Sequence, residues 1–476
     1  MTSSWFKQAS LAASLLALTL GLTPGAAQAA PGPTDASFRE LLKDMVETDS
    51  SVDTGSCTTV VEKIAARMKA AGYPDQNLHL FVPDGHPKAG ALVAIYPGRD
   101  PKLKAVLMLG HVDVVNARRA DWTRDPYAFI EEDGYYYGRG VADMKAQDAI
   151  WIDNLLRFQA EKYRPLRTVK MALTCGEEGG GFLNGAKWLV DNQKPLVDAG
   201  IALNEGGYGE LDDKGNRVDQ TFQAAQKVVM QFVLETTNPG GHSSLPRPDN
   251  AIYSLARALD RLGKYDFPVQ FIDANRGYFS KMAKVVGGEE GAAMTAIVAN
   301  PQDEAANALL NRSPSYHSML RTTCVATLLS AGHAANALPQ RATATVNCRV
   351  IPGVATDDVL ATLVKVVDDA EVKVTATRTY RPSSPAPVTD RILGPATRVS
   401  QQVWPDLPVV PHMATGATDA VTMNAAGIPT YGVSGLFRDP DGNGVHGLNE
   451  RIRVRSVQEG RTFLYGLVKA YADQKD

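Results

Sequence analysis

Cysteine is scarce, at four in 476 residues, and there is no Cys-x-x-Cys pair and no Cys/His spacing of a structural zinc site. Long runs of one charge are missing too. With 49 Lys+Arg against 52 Asp+Glu, a net charge of −3 offers no basic stripe for nucleic acid or for an anionic membrane. Internal repeats and low-complexity tracts are absent after the N-terminal segment, and nothing beyond that segment is apolar for the roughly 20 residues a membrane helix needs. What remains is ordinary globular composition, 44% hydrophobic and 21% charged, in a chain long enough for two domains. A disordered or fibrous protein is excluded.

Lys7 precedes an uncharged apolar run, Leu11–Leu22, followed by Pro24 and Ala27-Gln28-Ala29. This reads as a signal peptide over residues 1–29, and hence export to the periplasm or the medium with no stable membrane anchor; the alternative is a buried or anchoring N-terminal helix. Export implies an oxidising compartment, so disulfides must be weighed. Cys324 and Cys348 lie in β-like runs, Leu320–Leu329 and Arg341–Ile351, which a hairpin near Asn336 would set opposite each other. A cross-strand disulfide there is one reading and two free thiols the other. Cys57 and Cys175 read as separate buried thiols.

Helical spacing marks two helices between Ser37 and Ala71, and others at Met144–Lys162 and Leu183–Asn192. Strand-like runs alternate with them: Ala105–Gly110, Thr168–Thr174, Gly200–Asn204 and Pro429–Gly435. That alternation predicts an open α/β sheet. From Gln226 the texture changes. Val228–Thr236 alternates apolar and polar, and the helices Ala251–Leu262 and Thr356–Ala370, the two cysteine runs and Val372–Thr377 suggest an α+β sandwich. Residues 226–380 are expected to form a second, inserted domain, with 30–225 and 381–476 making the first. Tyr135-Tyr136-Tyr137 is expected to pack a hairpin.

Ligands of open α/β sheets collect at the carboxyl ends of strands, and each run above ends in metal-binding residue types. They are His111-Val112-Asp113, Cys175-Gly176-Glu177-Glu178, Asn204-Glu205 and, after the last run, His446-Gly447-Leu448-Asn449-Glu450. Asp143 stands at a helix start after Gly138-Arg139-Gly140. Imidazole and carboxylate together suit zinc or related divalent ions, and two ions sharing a carboxylate activate water and polarise a carbonyl at once. Singly each motif has a plainer reading, such as a surface carboxylate pair or Asp143 as a helix cap; jointly they point to a hydrolase.

On these motifs the chain resembles the dinuclear zinc exopeptidase family of glutamate carboxypeptidase, carboxypeptidase S, aminoacylase and carnosinase. The segment Phe437-Arg438-Asp439-Pro440 followed by His446–Arg451 looks most like the carboxypeptidase S branch. The resemblance implies a zinc-exopeptidase-like α/β catalytic domain with a mixed central sheet, plus a smaller α+β sandwich acting as lid and dimerisation domain. It implies two Zn2+ per chain, with Co2+ or Mn2+ as substitutes. Asp143 would bridge them, His111 and Glu205 completing one site and Glu178 and His446 the other. Asp113 would fix the His111 tautomer, and Glu177 would be the general base that takes a proton from the bridging water. His242, in Gly240-Gly241-His242-Ser243-Ser244, would stabilise the oxyanion, reaching the other subunit of a homodimer; the plainer reading is a loop histidine. Asn336, Arg349, Gly416 and Thr418 match substrate-contacting positions, Arg349 holding a free carboxylate or standing as an exposed strand residue, and Thr415–Asp419 forming a glycine-rich loop or an ordinary turn. Two departures are Ala146-Gln147, where two glycines are common, and Glu205 where relatives carry Asp.

The expected activity is hydrolysis of a peptide or N-acyl amide bond next to a free carboxylate in a small peptide or N-acyl amino acid. The alternatives are a strict N-acyl amino acid amidohydrolase or dipeptidase, an aminopeptidase, and a non-catalytic metal- or peptide-binding protein.

Overall fold

The computed structural model describes residues 33–179, 183–378 and 385–475; the signal segment 1–29 and most of the linker 381–387 lie outside the described residues. Helix Asp35–Glu47 opens with a reciprocal cap, Thr34 Oγ1 accepting the Ser37 N–H while Ser37 Oγ accepts that of Thr34. Its Phe38, Leu41, Leu42 and Met45 then recur at helical spacing and turn inward. Helix Cys57–Ala70 follows, capped by Ser56.

Runs that are apolar without alternation become central strands. Val106–His111, Val169–Thr174 and Ile201–Asn204 are buried along their length, as parallel strands covered on both faces must be. They lie side by side and parallel within a mixed ten-stranded sheet. Val106 and Met108 face a core shared with Leu42, Ile150 and Leu467, while Leu107 and Leu109 face Leu189 and Met423. Helices thus cover both faces, and the carboxyl ends of three strands meet at one edge.

A second, antiparallel sheet joins Thr323–Ala331, Arg341–Val350, Val228–Thr237 and Val372–Arg378 in that order. Val228–Thr237 alternates buried and half-buried residues, because only one face is covered. Helices Ala251–Gly263 and Thr356–Val367 cover it, packing Leu255, Leu363 and Val367 on Phe232 and Val346. Tyr135–Tyr137 pairs with Ile130–Glu132 and with Arg451–Arg453 in a small separate sheet.

Two features depart from the sequence reading. Four helices, Asp273–Val286, Gly288–Ala299, Glu304–Leu310 and Pro314–Leu320, form a block whose core of Phe279, Met294, Ile297 and Leu310 includes Val410 of the central sheet. Gly277 approaches that sheet so closely that a Cβ would lie 2.7 Å from Pro411 Cγ. The block therefore leans on the large sheet. The second is a correction: Cys57 and Cys175 are not free thiols but a disulfide, with Cα atoms 6.0 Å apart. Their 118-residue separation leaves no local signal, and only folding brings the start of helix Cys57–Ala70 to the loop after Val169–Thr174. Cys324 and Cys348 are directly opposite in register and also bonded.

Candidate metal centre

His111 ends one parallel strand, Glu205 follows Asn204 at the end of the next, and Glu177 and Glu178 occupy the loop after Thr174. Asp143 comes from a distorted turn, Val141–Lys145, ahead of helix Ala146–Ala160. His446 arrives from the turn beyond Phe437–Arg438, in a left-handed backbone conformation with φ 59°.

Asp143 is the centre of the arrangement. Its Oδ1 lies 3.4 Å from His111 Nε2 and its Oδ2 lies 3.3 Å from His446 Nε2. Glu205 Oε1 stands 3.7 Å from His111 Nε2, and Glu178 Oε1 2.9 Å from His446 Nε2. Two half-sites thus share one carboxylate. His111 Nδ1 is 3.1 Å from the Asp113 main-chain carbonyl; a carbonyl only accepts, so Nδ1 carries the proton and Nε2 offers its lone pair to the carboxylates. The Asp113 carboxylate meanwhile accepts the Glu178 backbone N–H at 3.0 Å, which fixes the loop bearing Glu177 and Glu178.

The donor set fits divalent metal. His111 Nε2 and Asp143 Oδ1 are buried with no hydrogen-bond partner in the protein, an expensive state for polar atoms unless something else binds them. Donor atoms of His111, Asp143 and Glu178, and again of His111, Glu177 and Glu205, lie within 4.8 Å of one another. Imidazole with carboxylate suits zinc, cobalt or manganese. Cys57, Asp113 and Cys175 also cluster, but the two sulfurs are bonded to each other and cannot serve as thiolate ligands. Electrostatics agree. Burial pushes the Glu177 carboxyl up to about 10, reinforced by Glu205, Asp419 and Glu178. Hydrogen bonds to Asp143 and Glu178 push His446 up to about 10. Carboxylates this crowded are what a bound cation neutralises.

Gly416 and Thr418 line a cavity of about 540 Å³ that also reaches Glu205. His242 and Asn336 stand elsewhere, exposed on a two-stranded ribbon in which His242 pairs with Ala337 and Asn336 accepts the Ser243 N–H. His242 Nδ1 bonds locally to the Ser244 hydroxyl at 2.8 Å. Arg349 is half-buried in the small sheet, opposite Val229 and Thr323. None of these three lines the Glu205 cavity. At the helix start, Ala146 is fully buried, and Gln147 donates to the carbonyls of Asn204 and Val433. Gln147 thereby ties the helix to two strand ends.

Two residues quoted only as motif neighbours prove structural to the site. Asp419 accepts from Asn184 Nδ2 at 2.7 Å and its charge helps to raise the Glu177 carboxyl, and Glu450 holds the turn that carries Asp143. Their signal was adjacency to Thr418 and His446; their partners are remote in sequence.

Fold and site together define a metal-dependent hydrolytic enzyme. Residues 107–470 match the peptidase family M20/M25/M40, and the chain belongs to it. It is 28% identical over 386 residues to the N-fatty-acyl-amino acid synthase/hydrolase PM20D1 of Mus musculus, covering 78% of this chain and 75% of that one. It is 28% identical over 397 residues to the probable carboxypeptidase S-like 2 of Dictyostelium discoideum, covering 80% and 74%. Among solved structures, the M20 family metallo-carboxypeptidase Sso-CP2 from Sulfolobus solfataricus has the same fold, with a TM-score of 0.67 at 19% identity over 91% of this chain and 99% of that one.

Proposed function

We propose that this chain is an exported dinuclear zinc hydrolase that cleaves a peptide or N-acyl amide bond adjacent to a free carboxylate. The carrying observation is Asp143, one oxygen toward His111 and the other toward His446. His111, Glu205 and Asp143 would hold one ion, and Glu178, His446 and Asp143 the other. When bound, such ions polarise a carbonyl and lower the pKa of water. The chain's own part falls to Glu177, whose carboxylate lies within 4.8 Å of the His111 and Glu205 donor atoms. It takes a proton from the attacking water and hands it to the leaving amine. Asp113 keeps His111 in the tautomer that leaves Nε2 free.

Residues 226–380 serve in this reading as the inserted lid, whose closure brings His242, Asn336 and Arg349 to substrate, His242 across a homodimer interface. The edge strand Thr323–Ala331 supports such an interface by exposing Val325, Leu328 and Leu329. Two disulfides support an oxidising compartment, in keeping with a signal peptide over 1–29. No helix among the described residues is long and apolar enough to cross a membrane.

The test is elemental analysis of purified protein together with hydrolysis of N-acyl amino acids and dipeptides, with and without chelator. Two metals per chain and chelator-sensitive release of a C-terminal amino acid are expected. Glu177→Ala should abolish turnover while keeping both metals; normal turnover in that variant would remove Glu177 from its role. A strict N-acyl amino acid amidohydrolase is the second reading, favoured by the name of the mouse relative. Hydrolysis of N-acyl amino acids but of no dipeptide would select it.

A further inference from the structure

The cavity that begins at Glu205 has about 540 Å³, well inside the size range of small-molecule sites. Its walls come from the central sheet and from the helical block, which contributes Tyr278 and Tyr316. They are predominantly polar. Among the described residues that line it, Arg438 is the one lysine or arginine.

Arg438 is placed by sheet register. It pairs with Glu210 on the parallel neighbour, and Glu210 pairs with Asp219 on the next strand. Directly opposed residues share a face, so the three side chains form one row along the cavity wall. The Arg438 guanidinium lies over the Tyr208 ring, with Cζ 3.2 Å from the ring centroid, and Tyr208 is three residues beyond Glu205. The stack orients the charge.

Glu210 stands beside that guanidinium without closing an ion pair. Arg438 forms no ion pair among the described residues, and its Nε is buried without a hydrogen-bond partner. Asp219 Oδ1 and His412 Nδ1, on the walls of the same cavity, are likewise buried and unpartnered. Asp219 is only 2% exposed. A carboxyl group relieves such a situation by keeping its proton, but a guanidinium stays charged. Arg438 Nε is thus a buried cationic donor without an acceptor, and a carboxylate answers a guanidinium through two parallel hydrogen bonds.

We infer that Arg438 anchors a carboxylate of the substrate inside this cavity and so sets specificity for anionic amides over long apolar acyl chains. The inference rests on the hydrolase reading above. Two parts of a substrate carry that chemistry, the α-carboxylate of the leaving amino acid and an acidic side chain.

The experiment measures kcat and KM for N-acetyl-glutamate, N-acetyl-glutamine and their α-carboxamides, with wild type, Arg438→Met and Arg438→Lys. Arg438→Met should lower kcat/KM for N-acetyl-glutamate by about 30-fold or more, chiefly through KM, and Arg438→Lys should restore part of it. An equal loss on N-acetyl-glutamine that vanishes for the carboxamides identifies the α-carboxylate; a loss confined to N-acetyl-glutamate identifies the side chain. Unchanged kinetics on all four probes overturn the anchor. So does a preference for N-acetyl-lysine that disappears in Asp219→Asn, because the acidic end of the row would then be the recognition element. Calorimetric binding of N-acetyl-glutamate to Glu177→Gln, alone and combined with Arg438→Met, reads the anchor without turnover. An unaltered Kd in the double variant overturns the anchor and leaves the hydrolase reading standing. Arg438-dependent binding in a protein whose wild type hydrolyses no amide upholds the anchor and removes the hydrolase reading.

Discussion

Arg139 and Glu450 meet as a buried ion pair, Nη1 to Oε2 2.6 Å, with neither side chain more than 3% exposed. The carboxylate of Glu450 also accepts the backbone N–H groups of Gly140, Ala142 and Asp143. One side chain thus ties down the turn that presents the central carboxylate. Removing one member of such a pair leaves the other charge buried and alone, which costs about 3–5 kcal/mol. Glu450→Gln should lose stability on that scale in urea unfolding and should bind metal more weakly in competition with a chelator. Unchanged stability with full metal occupancy would show that the turn holds itself.

Asp143 faces both histidines, whereas His446 and Glu178 serve one half-site. Asp143→Ala is therefore expected to lose both metals and His446→Ala only one. Elemental analysis of the folded variants decides between this pattern and two independent sites, for which Asp143→Ala would retain one ion.

The two disulfides close loops of very different length, with sequence separations of 118 and 24 residues. Chain entropy makes the longer closure more stabilising by about 1.4 kcal/mol. Cys57→Ala/Cys175→Ala should accordingly lower the denaturant midpoint further than Cys324→Ala/Cys348→Ala. It should also depress turnover, since Cys175 lies two residues before Glu177. The reverse order of stabilities would mean that local contacts outweigh loop closure.

Lys227 is fully buried, donating to Ser318 Oγ and Thr323 Oγ1 at 3.1 and 3.2 Å. Burial, with Arg349 and Arg321 nearby, pushes its ammonium down to about 7. An unfolded lysine titrates near 10.4, so between pH 7 and about 10 the unfolded chain binds more protons and stability from this group rises with pH. Lys227→Met removes that term. Its stability relative to wild type should be most favourable below pH 7 and decline toward pH 10, as measured by urea unfolding across the range. A pH-independent difference would contradict the assignment.

Val325, Leu328 and Leu329 lie exposed along the edge strand of the small sheet. If two copies pair there, Leu328→Lys should convert a dimer to a monomer in light scattering. A wild type that is already monomeric at micromolar concentration would refute the pairing.

The carboxyl-end positions of the donors were legible because strand-like runs and the residues that follow them are local patterns. His111 and Glu205 each follow such a run directly and Glu178 comes four residues after one, and hydrophobic periodicity places helices near Asp35–Glu47, Cys57–Ala70 and Ala146–Ala160. The block Asp273–Leu320 was not legible as a unit, since its apolar stripes do not say which sheet they cover. The Cys57–Cys175 bond was not legible either, for nothing within a hundred residues of either sulfur marks the other.

By itself the sequence determined the types of donor, their order along the chain and the alternation that builds the sheets, because these depend on neighbours a few residues apart. Tertiary structure decided which oxygen of Asp143 meets which histidine, that Glu450 holds the Asp143 turn, and that Arg438 shares a cavity with Glu205. Those relations join residues up to some 300 positions apart, and only packing, which has no counterpart in local spacing, brings them within reach of a hydrogen bond.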